Sequence, residues 1–459
     1  MKTYYFKGIL QNTGWVENTG IKVNDEGLIT AIFSFDPQDI SIEICNGFAI
    51  PGFQNAHSHA FQYAMAGLAE RHEGNNNRDD FWGWREAMYR LALSIDPDQM
   101  RAIATMLYAE MARHGYTNVA EFHYVHHDQS GKPYTDLAEM GSSLIAAAKT
   151  VGIGITLIPV FYQKGGFGQQ PTDRQKRFIS PTIDEYLKLL EASKASCKHY
   201  EHANVGIGIH SMRGVESSDI AEIATSSPQD IPFHMHIAEQ LKEVEDAVHY
   251  LGKRPVEWLL EHLDLNERFH LIHATHLTAK ETIGLAKSKA NVVLCPSTEG
   301  NLGDGLFPLR NYQEAGGKWS IGTDSHISLN PFEELRLLDY GQRLISHKRN
   351  TYFSKEQSDG GTYALEMATL AGRKAMGNFT SDFFALGKPL DACIIDASAP
   401  LIATSSLQNL SSTIVYATDA ALQTNTISHG ETIVYNGHHK EHERIVKNFT
   451  SVIEQLKNR

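Results

Sequence analysis

The sequence predicts an α/β protein, a (β/α)8 barrel with a small β-sandwich domain formed from both termini. Three observations carry this. The middle of the chain alternates short apolar runs with longer segments of helical spacing, both ends show turn-punctuated strand patterns, and the apolar runs repeatedly end in histidine or an acid. The runs are FAIPGFQNAHSH (48–59), GYTNVAEFHY (115–124), IGITLIPVF (153–161), NVGIGIH (204–210), IPFHMHIAE (231–239), FHLIHATH (269–276), NVVLCPST (291–298) and KWSIGTDSH (318–326), eight in all. Near-continuous apolar content with Gly and β-branched residues suits strands buried on both faces. Between the runs, apolar spacing predicts helices over 98–113, 137–150, 183–198, 256–262, 279–288 and 331–346.

The flanks read differently. Residues 1 to about 50 (YYFKGIL, IKVNDEGLITAIFSF) and about 385 to 437 (LGKPLDACIIDAS, SSTIVYA, ETIVYNG) are strand patterns broken by turns. The expected organisation is therefore 1–50 and 381–459 as the two parts of the sandwich, with the barrel over 51–380. A terminal surface helix is expected over 441–457, where Ile445, Phe449, Ile453 and Leu456 keep helical spacing. QKGGFGQQ (163–170) lacks the Lys-Ser/Thr helix start of a phosphate loop and reads as a mobile loop.

Composition narrows the function classes. A chain of 459 residues with 42% hydrophobic content has ample core, and 41 basic against 54 acidic residues (net charge −13) argue against nucleic acid or an anionic membrane as partner. Cys45, Cys197, Cys295 and Cys393 lie far apart with no CxxC, so neither a disulfide framework nor a thiolate zinc site is indicated. With no signal-peptide pattern and no apolar run of membrane-spanning length, a cytoplasmic protein acting on a small molecule is expected.

In a (β/α)8 barrel the chemistry sits where the strands end, so the polar residue closing each run is a site candidate. These are His57 and His59, Tyr124, His210, His236 with Glu239, His273 and Asp324. One such histidine is ordinarily a satisfied core or loop residue. Five of eight ends supplying His or Asp form a pattern, because nitrogen and oxygen ligands around an open position are what a hydrolytic metal needs. His57 and His59 are spaced to share one face of a strand, and so are His234 and His236.

His57-Ser58-His59, His236, His273 and Asp324, each on its own run, resemble the signature of the amidohydrolase superfamily, whose members are metal-dependent hydrolases. The flanks agree: GFAIPGFQNAHSH resembles that superfamily's lead into the barrel and LGKPLDACIIDA its return to the sandwich, so the likeness spans essentially the whole chain. Two-metal members bridge their ions through a carbamylated lysine at the end of strand four. Here that run ends in His210, and no Lys lies between Lys198 and Lys242. The resemblance therefore implies one divalent metal per chain, zinc by preference, held by His57, His59, His236 and Asp324 with a position left for water; iron or manganese would accept the same set. Glu239 matches the HxxE of the mononuclear deaminase branch, in which this Glu shuttles protons and the counterpart of His273 orients water. The implied catalytic residues are Glu239, His273 and Asp324, and His234 stays an alternative ligand because it shares the face of His236.

The other half of the expected site concerns substrate. HSMR places Arg213 just past the fourth run, and FWGWREAMYR offers Arg85 after two tryptophans, beyond a presumed loop containing GNNN. Guanidinium is a preferred fork for carboxylates, so two of them facing a metal in an acidic protein would select a dianion. With HSHAFQYAMAGLAE, EFHYVHHD, HIAEQ, LIHATHL and CPSTEGNLGDGLFPL, these segments are similar to a deiminase branch that hydrolyses a linear formimidoyl group on an amino dicarboxylate in bacterial histidine degradation. By position, that likeness implies Gln62, Arg85, Tyr124, His210 and Arg213 as substrate-binding residues, and a homodimer. Two rival readings are a ring aminohydrolase of the same superfamily, which would want stacking and amide readers, and a non-catalytic binding member of the fold, which would lack a ligand or Glu239.

Overall fold

In the computed structural model, which describes residues 1–36, 38, 45–70 and 81–457, all eight runs are parallel barrel strands. They are β1 (Phe53–Ser58), β2 (Tyr116–His123), β3 (Gly154–Phe161), β4 in two pieces either side of Gly206 (Ala203–Val205 and Ile207–Ile209), β5 (Phe233–Ile237), β6 (Phe269–His273), β7 (Asn291–Leu294) and β8 (Lys318–Ile321). Every residue of β3, β5, β6 and β7 is buried, which is why these strands read as unbroken apolar runs without alternation.

The barrel closes between β1 and β8. Asp324 N–H donates to the His57 carbonyl at 3.0 Å, and His59 N–H donates to the Asp324 carbonyl at 3.2 Å. Gly322 makes this approach possible: a Cβ there would stand 2.7 Å from His57 Cβ and 2.9 Å from its backbone nitrogen and oxygen.

Helices fall where spacing and end signals place them. The helix Pro97–Arg113 starts on Asp96, whose side chain accepts from Gln99 N–H while Gln99 returns the bond, with Pro97 at the first position. Ala279–Ser288 starts on the same reciprocal pair, Thr278 and Glu281, and Pro331–Ser346 starts on Asn330. Glu139–Val151 ends on Gly152 at φ 90°.

Both flanks join one further sheet of eight strands, ordered 438–439, 431–435, 423–428, 392–396, 45–51, 2–11, 14–23 and 29–34. The two termini meet where Cys45–Pro51 pairs antiparallel with Ala392–Asp396, and Cys45–Pro51 then runs through Gly52 straight into β1. The terminal helix is His442–Gln455, with Ile445 buried. All four cysteines are free, and among the described residues no helix is long and apolar enough to cross a membrane.

One expectation for the flanks needs correction. SSTIVYA is not a strand but the end of the helix Leu407–Ala417, because Leu410 and Ile414 sit one turn apart and both are buried, so a helical stripe outweighs the β-branched content. Arg85 stands on the helix Phe81–Ser94; the loop expected to contain GNNN lies outside the described residues. The segment 163–170 folds back on itself, with Gly165 N–H on the Gln169 carbonyl at 3.0 Å and Gln169 N–H on the Gly166 carbonyl at 3.1 Å.

Candidate active site

The ends of β1, β5 and β8 bring three imidazoles and a carboxylate together. His57 Nε2 lies 3.2 Å from His59 Nε2 and 3.0 Å from His236 Nε2, and Asp324 Oδ1 is 3.5 Å from His57 Nε2 and 3.4 Å from His59 Nε2. In two of the three the opposite ring nitrogen is engaged: His59 Nδ1–H donates to the Phe122 carbonyl at 2.7 Å, and His236 Nδ1–H to the His210 carbonyl at 2.9 Å. Because carbonyls only accept, these bonds put the proton on Nδ1 and leave Nε2 as a lone pair.

Burial, reinforced by His59, holds His57 down to about 3; burial likewise lowers His59 and His236. Burial alone would raise Asp324, but the imidazoles beside it, His57 first and then His273 and His59, keep it below the usual carboxylate range. Neutral imidazoles and an ionised carboxylate are the ligand-ready forms, and several lone pairs aimed at one point repel unless a cation sits among them. Ligand bonds of about 2.0–2.1 Å in a tetrahedron give edges of roughly 3.3 Å; His57 lies 3.2 and 3.0 Å from His59 and His236, and Asp324 stands 3.5 and 3.4 Å from His57 and His59, so nitrogen and carboxylate donors suited to a divalent ion such as zinc are gathered here.

Beside this cluster stand His273 and Glu239. His273 Nδ1 is 3.2 Å from Glu299 Oε1, while its Nε2 faces Asp324 Oδ2 at 3.7 Å and Glu239 Oε1 at 3.9 Å. Burial pulls His273 down, but Glu239, Glu299 and Asp324 together bring it up to about 10. Glu239 is raised by burial against the pull of His273 and Arg213, whose Nη2 lies 3.7 Å from Glu239 Oε2. Glu243 takes the Ala238 and Glu239 N–H groups at 3.1 and 3.2 Å, fixing the turn after β5. Ala238, His273 and Asp324 adopt left-handed backbone at φ 49°, 68° and 47°, a conformation costing of order 1–3 kcal/mol each that is typically found at functional sites.

A cavity opens over these groups. It is lined by His59, Gln62, Arg85, Tyr124, His210, Arg213, His236, Glu239, His273 and Asp324, with His57 buried beneath. Gln62 Nε2 donates to Tyr124 Oη at 2.9 Å, and the Arg85 guanidinium lies over the Tyr89 ring at 5.1 Å. An outer chamber shares Arg85, His210 and Arg213 and is walled by residues of the 163–170 segment and by Tyr250. His234 lies apart: its Nε2 bonds the Ala375 carbonyl at 3.0 Å and its ring stacks on His270, so it does not join the cluster.

Sequence reasoning missed Trp84, Met88 and Leu302 in the cavity wall, and also Glu299, Glu243 and Glu121 behind it. Glu299 had a readable signal, an acid four residues past Cys295 at the end of β7. Glu121 had none, since Ser58 and Ala60, which it ties to β2, lie 63 and 61 residues away.

A parallel barrel with a cluster of buried histidines and a buried Glu–His pair at its strand ends defines a class: barrel proteins able to hold a metal. The chain belongs to the amidohydrolase family and is a hydrolase: the model of that family matches residues 48–433. It is 39% identical to formimidoylglutamate deiminase of Pseudomonas aeruginosa, covering 99% of this chain and 100% of that one. It is 26% identical to 5-methylthioadenosine/S-adenosylhomocysteine deaminase of Halobacterium salinarum, over 82% of this chain and 79% of the relative. A crystal structure of an amidohydrolase from Brucella melitensis superposes with a TM-score of 0.93 at 38% identity, covering 99% of this chain and 100% of that one.

Proposed function

We propose that the protein hydrolyses N-formimidoyl-L-glutamate to N-formyl-L-glutamate and ammonia, a step of histidine degradation in the cytoplasm. It does so with one zinc ion held by His57, His59, His236 and Asp324. The observation that carries this reading is the pair of guanidinium groups, Arg85 and Arg213, in the wall of a cavity whose floor is otherwise imidazole and carboxylate. A metal and Glu239 suit any deaminase of the family; two cations beside them suit a dicarboxylate. The full-length likeness to the Pseudomonas aeruginosa enzyme supports the same substrate.

A divalent ion supplies Lewis acidity, making water nucleophilic near neutral pH. Arg213 and Arg85 hold the two carboxylates and so fix the formimidoyl carbon over the cluster, and such positioning is worth several kcal/mol of the barrier. His273 Nε2 orients the attacking water beside Asp324. The water oxygen bonds to the formimidoyl carbon while Glu239 takes the released proton and passes it to the imine nitrogen. Transfer of the remaining hydroxyl proton to that nitrogen breaks its bond to carbon, leaving a formamide and ammonia. Gln62, Tyr124 and His210 line the path between the reacting carbon and the arginines.

A charge-assisted hydrogen bond is worth about 1.5–3 kcal/mol, so Arg213→Met should lower kcat/KM at least ~10-fold and up to ~10³-fold with metal content intact. On an analogue lacking one carboxylate, wild type should lose about what the variant loses, and the variant should hardly distinguish the two substrates. Equal discrimination by both proteins would contradict a carboxylate partner for Arg213.

A further inference from the structure

The β1–β2 ladder carries an irregularity under the ligand pair. Asn55 pairs with Val119 and Ser58 with Glu121, so three steps along β1 match two along β2, and one extra residue sits in β1 at the point where His57 and His59 emerge. Such bulges re-aim side chains and leave ladder groups unpaired. Here one buried carboxylate takes the place of the lost ladder. Glu121, 1% exposed, accepts from Ser58 Oγ–H at 2.6 Å and Tyr108 Oη–H at 3.0 Å through Oε2, and from Ala60 N–H at 2.6 Å through Oε1. Its neighbour Phe122 holds His59 Nδ1–H. The segment is thus tied to β2 at three points on one side and to Asp324 by two backbone bonds on the other.

We propose that Glu121 is the positioning residue of the ligand pair: by holding Ser58 and Ala60 on either side of His59, it fixes the bulged backbone that aims both imidazoles at one point. It touches neither substrate nor metal and acts only through residues 58–60. The inference rests on the reading that His57, His59, His236 and Asp324 bind a divalent ion. Loss of such an outer partner typically costs 10- to 100-fold in metal affinity, and that is the loss expected here.

The test is zinc affinity of metal-free full-length protein, measured by competition with a chromophoric chelator and paired with the visible spectrum of the Co²⁺-substituted form. Glu121→Gln should bind zinc roughly 10- to 100-fold more weakly and shift the Co²⁺ bands. Ser58→Ala, which removes one arm and leaves the carboxylate in place, should move both in the same direction by less, and keeps the test open if Glu121→Gln does not fold. Variants that melt at lower temperature yet bind zinc with wild-type affinity and an unchanged Co²⁺ spectrum would overturn the proposal, leaving Glu121 a purely structural acid. Wild-type protein that binds no zinc would overturn the ligand-cluster reading, and this inference with it.

Discussion

Ser58 and Asp324 face each other as the parallel bridge that closes the barrel, so the segment bearing His57 and His59 and the residue bearing the Asp324 carboxylate are hydrogen-bonded backbone to backbone. Barrel closure itself therefore brings the Asp324 carboxylate beside His57 and His59, the residues proposed with His236 to hold the metal. This arrangement does not depend on a mobile loop, and it should persist in metal-free protein.

That preassembly sets the first prediction. Purified protein should carry one zinc per chain, lose activity to a chelator and regain it with zinc. Asp324→Asn removes the anionic ligand while its backbone bridge remains, so it should weaken zinc binding and lower turnover by at least ~10²-fold with little change in the far-ultraviolet spectrum. Elemental analysis finding two tightly held ions per active chain would contradict the four-ligand site, and an Asp324→Asn protein of normal activity would remove Asp324 from it.

Glu239 and Arg213 lie 3.7 Å apart but should fail differently when replaced. Glu239→Gln leaves the arginines to bind substrate and removes the proton carrier, so kcat should fall by ~10²- to 10⁴-fold while KM changes little. A variant in which KM rises and kcat holds would assign Glu239 to binding.

Much of this was legible in the sequence, for identifiable reasons. β3 and β6 stand out because parallel strands buried on both faces leave no polar alternation. The helices at Ala279 and Pro331 announce themselves through Thr278–Glu281 and Asn330-Pro331. The cluster residues were visible because barrel chemistry gathers at strand ends, and each of them lies in the last few residues of a run. What stayed hidden depends on contacts distant in sequence. Glu121 meets Ser58 across 63 positions, and the bulge beneath His57 exists only in the pairing of β1 with β2. Leu407–Ala417 was misread because its Thr-Ile-Val run satisfies strand composition while its burial obeys helical spacing.

Away from the site, Glu334 offers a test of stability against pH. It is fully buried and accepts from Ser297 N–H and Oγ–H; burial pushes it up to about 8 from an ordinary 4.5, against those hydrogen bonds. A folded-state pKa above the unfolded one means that the native protein binds this proton more tightly. Its contribution to stability is full below about pH 4.5 and is lost progressively as pH rises toward 8. Glu334→Gln keeps an acceptor for Ser297 without the titration, so its melting temperature should fall less than that of wild type between pH 5 and pH 8. Parallel pH profiles for the two proteins would contradict a raised Glu334.

The central claim is that this barrel releases ammonia from a linear amidine on an amino dicarboxylate, and one assay addresses it directly: initial rates of ammonia release by zinc-loaded protein from N-formimidoyl-L-glutamate, guanine, adenosine, S-adenosylhomocysteine and cytosine. Rapid release from N-formimidoyl-L-glutamate, with one N-formyl-L-glutamate formed per ammonia and negligible turnover of the ring compounds, is the predicted result. Faster release from any of the rings would contradict the account and make the protein a ring aminohydrolase. No release from any compound by fully metallated protein would leave it a binding member of the fold.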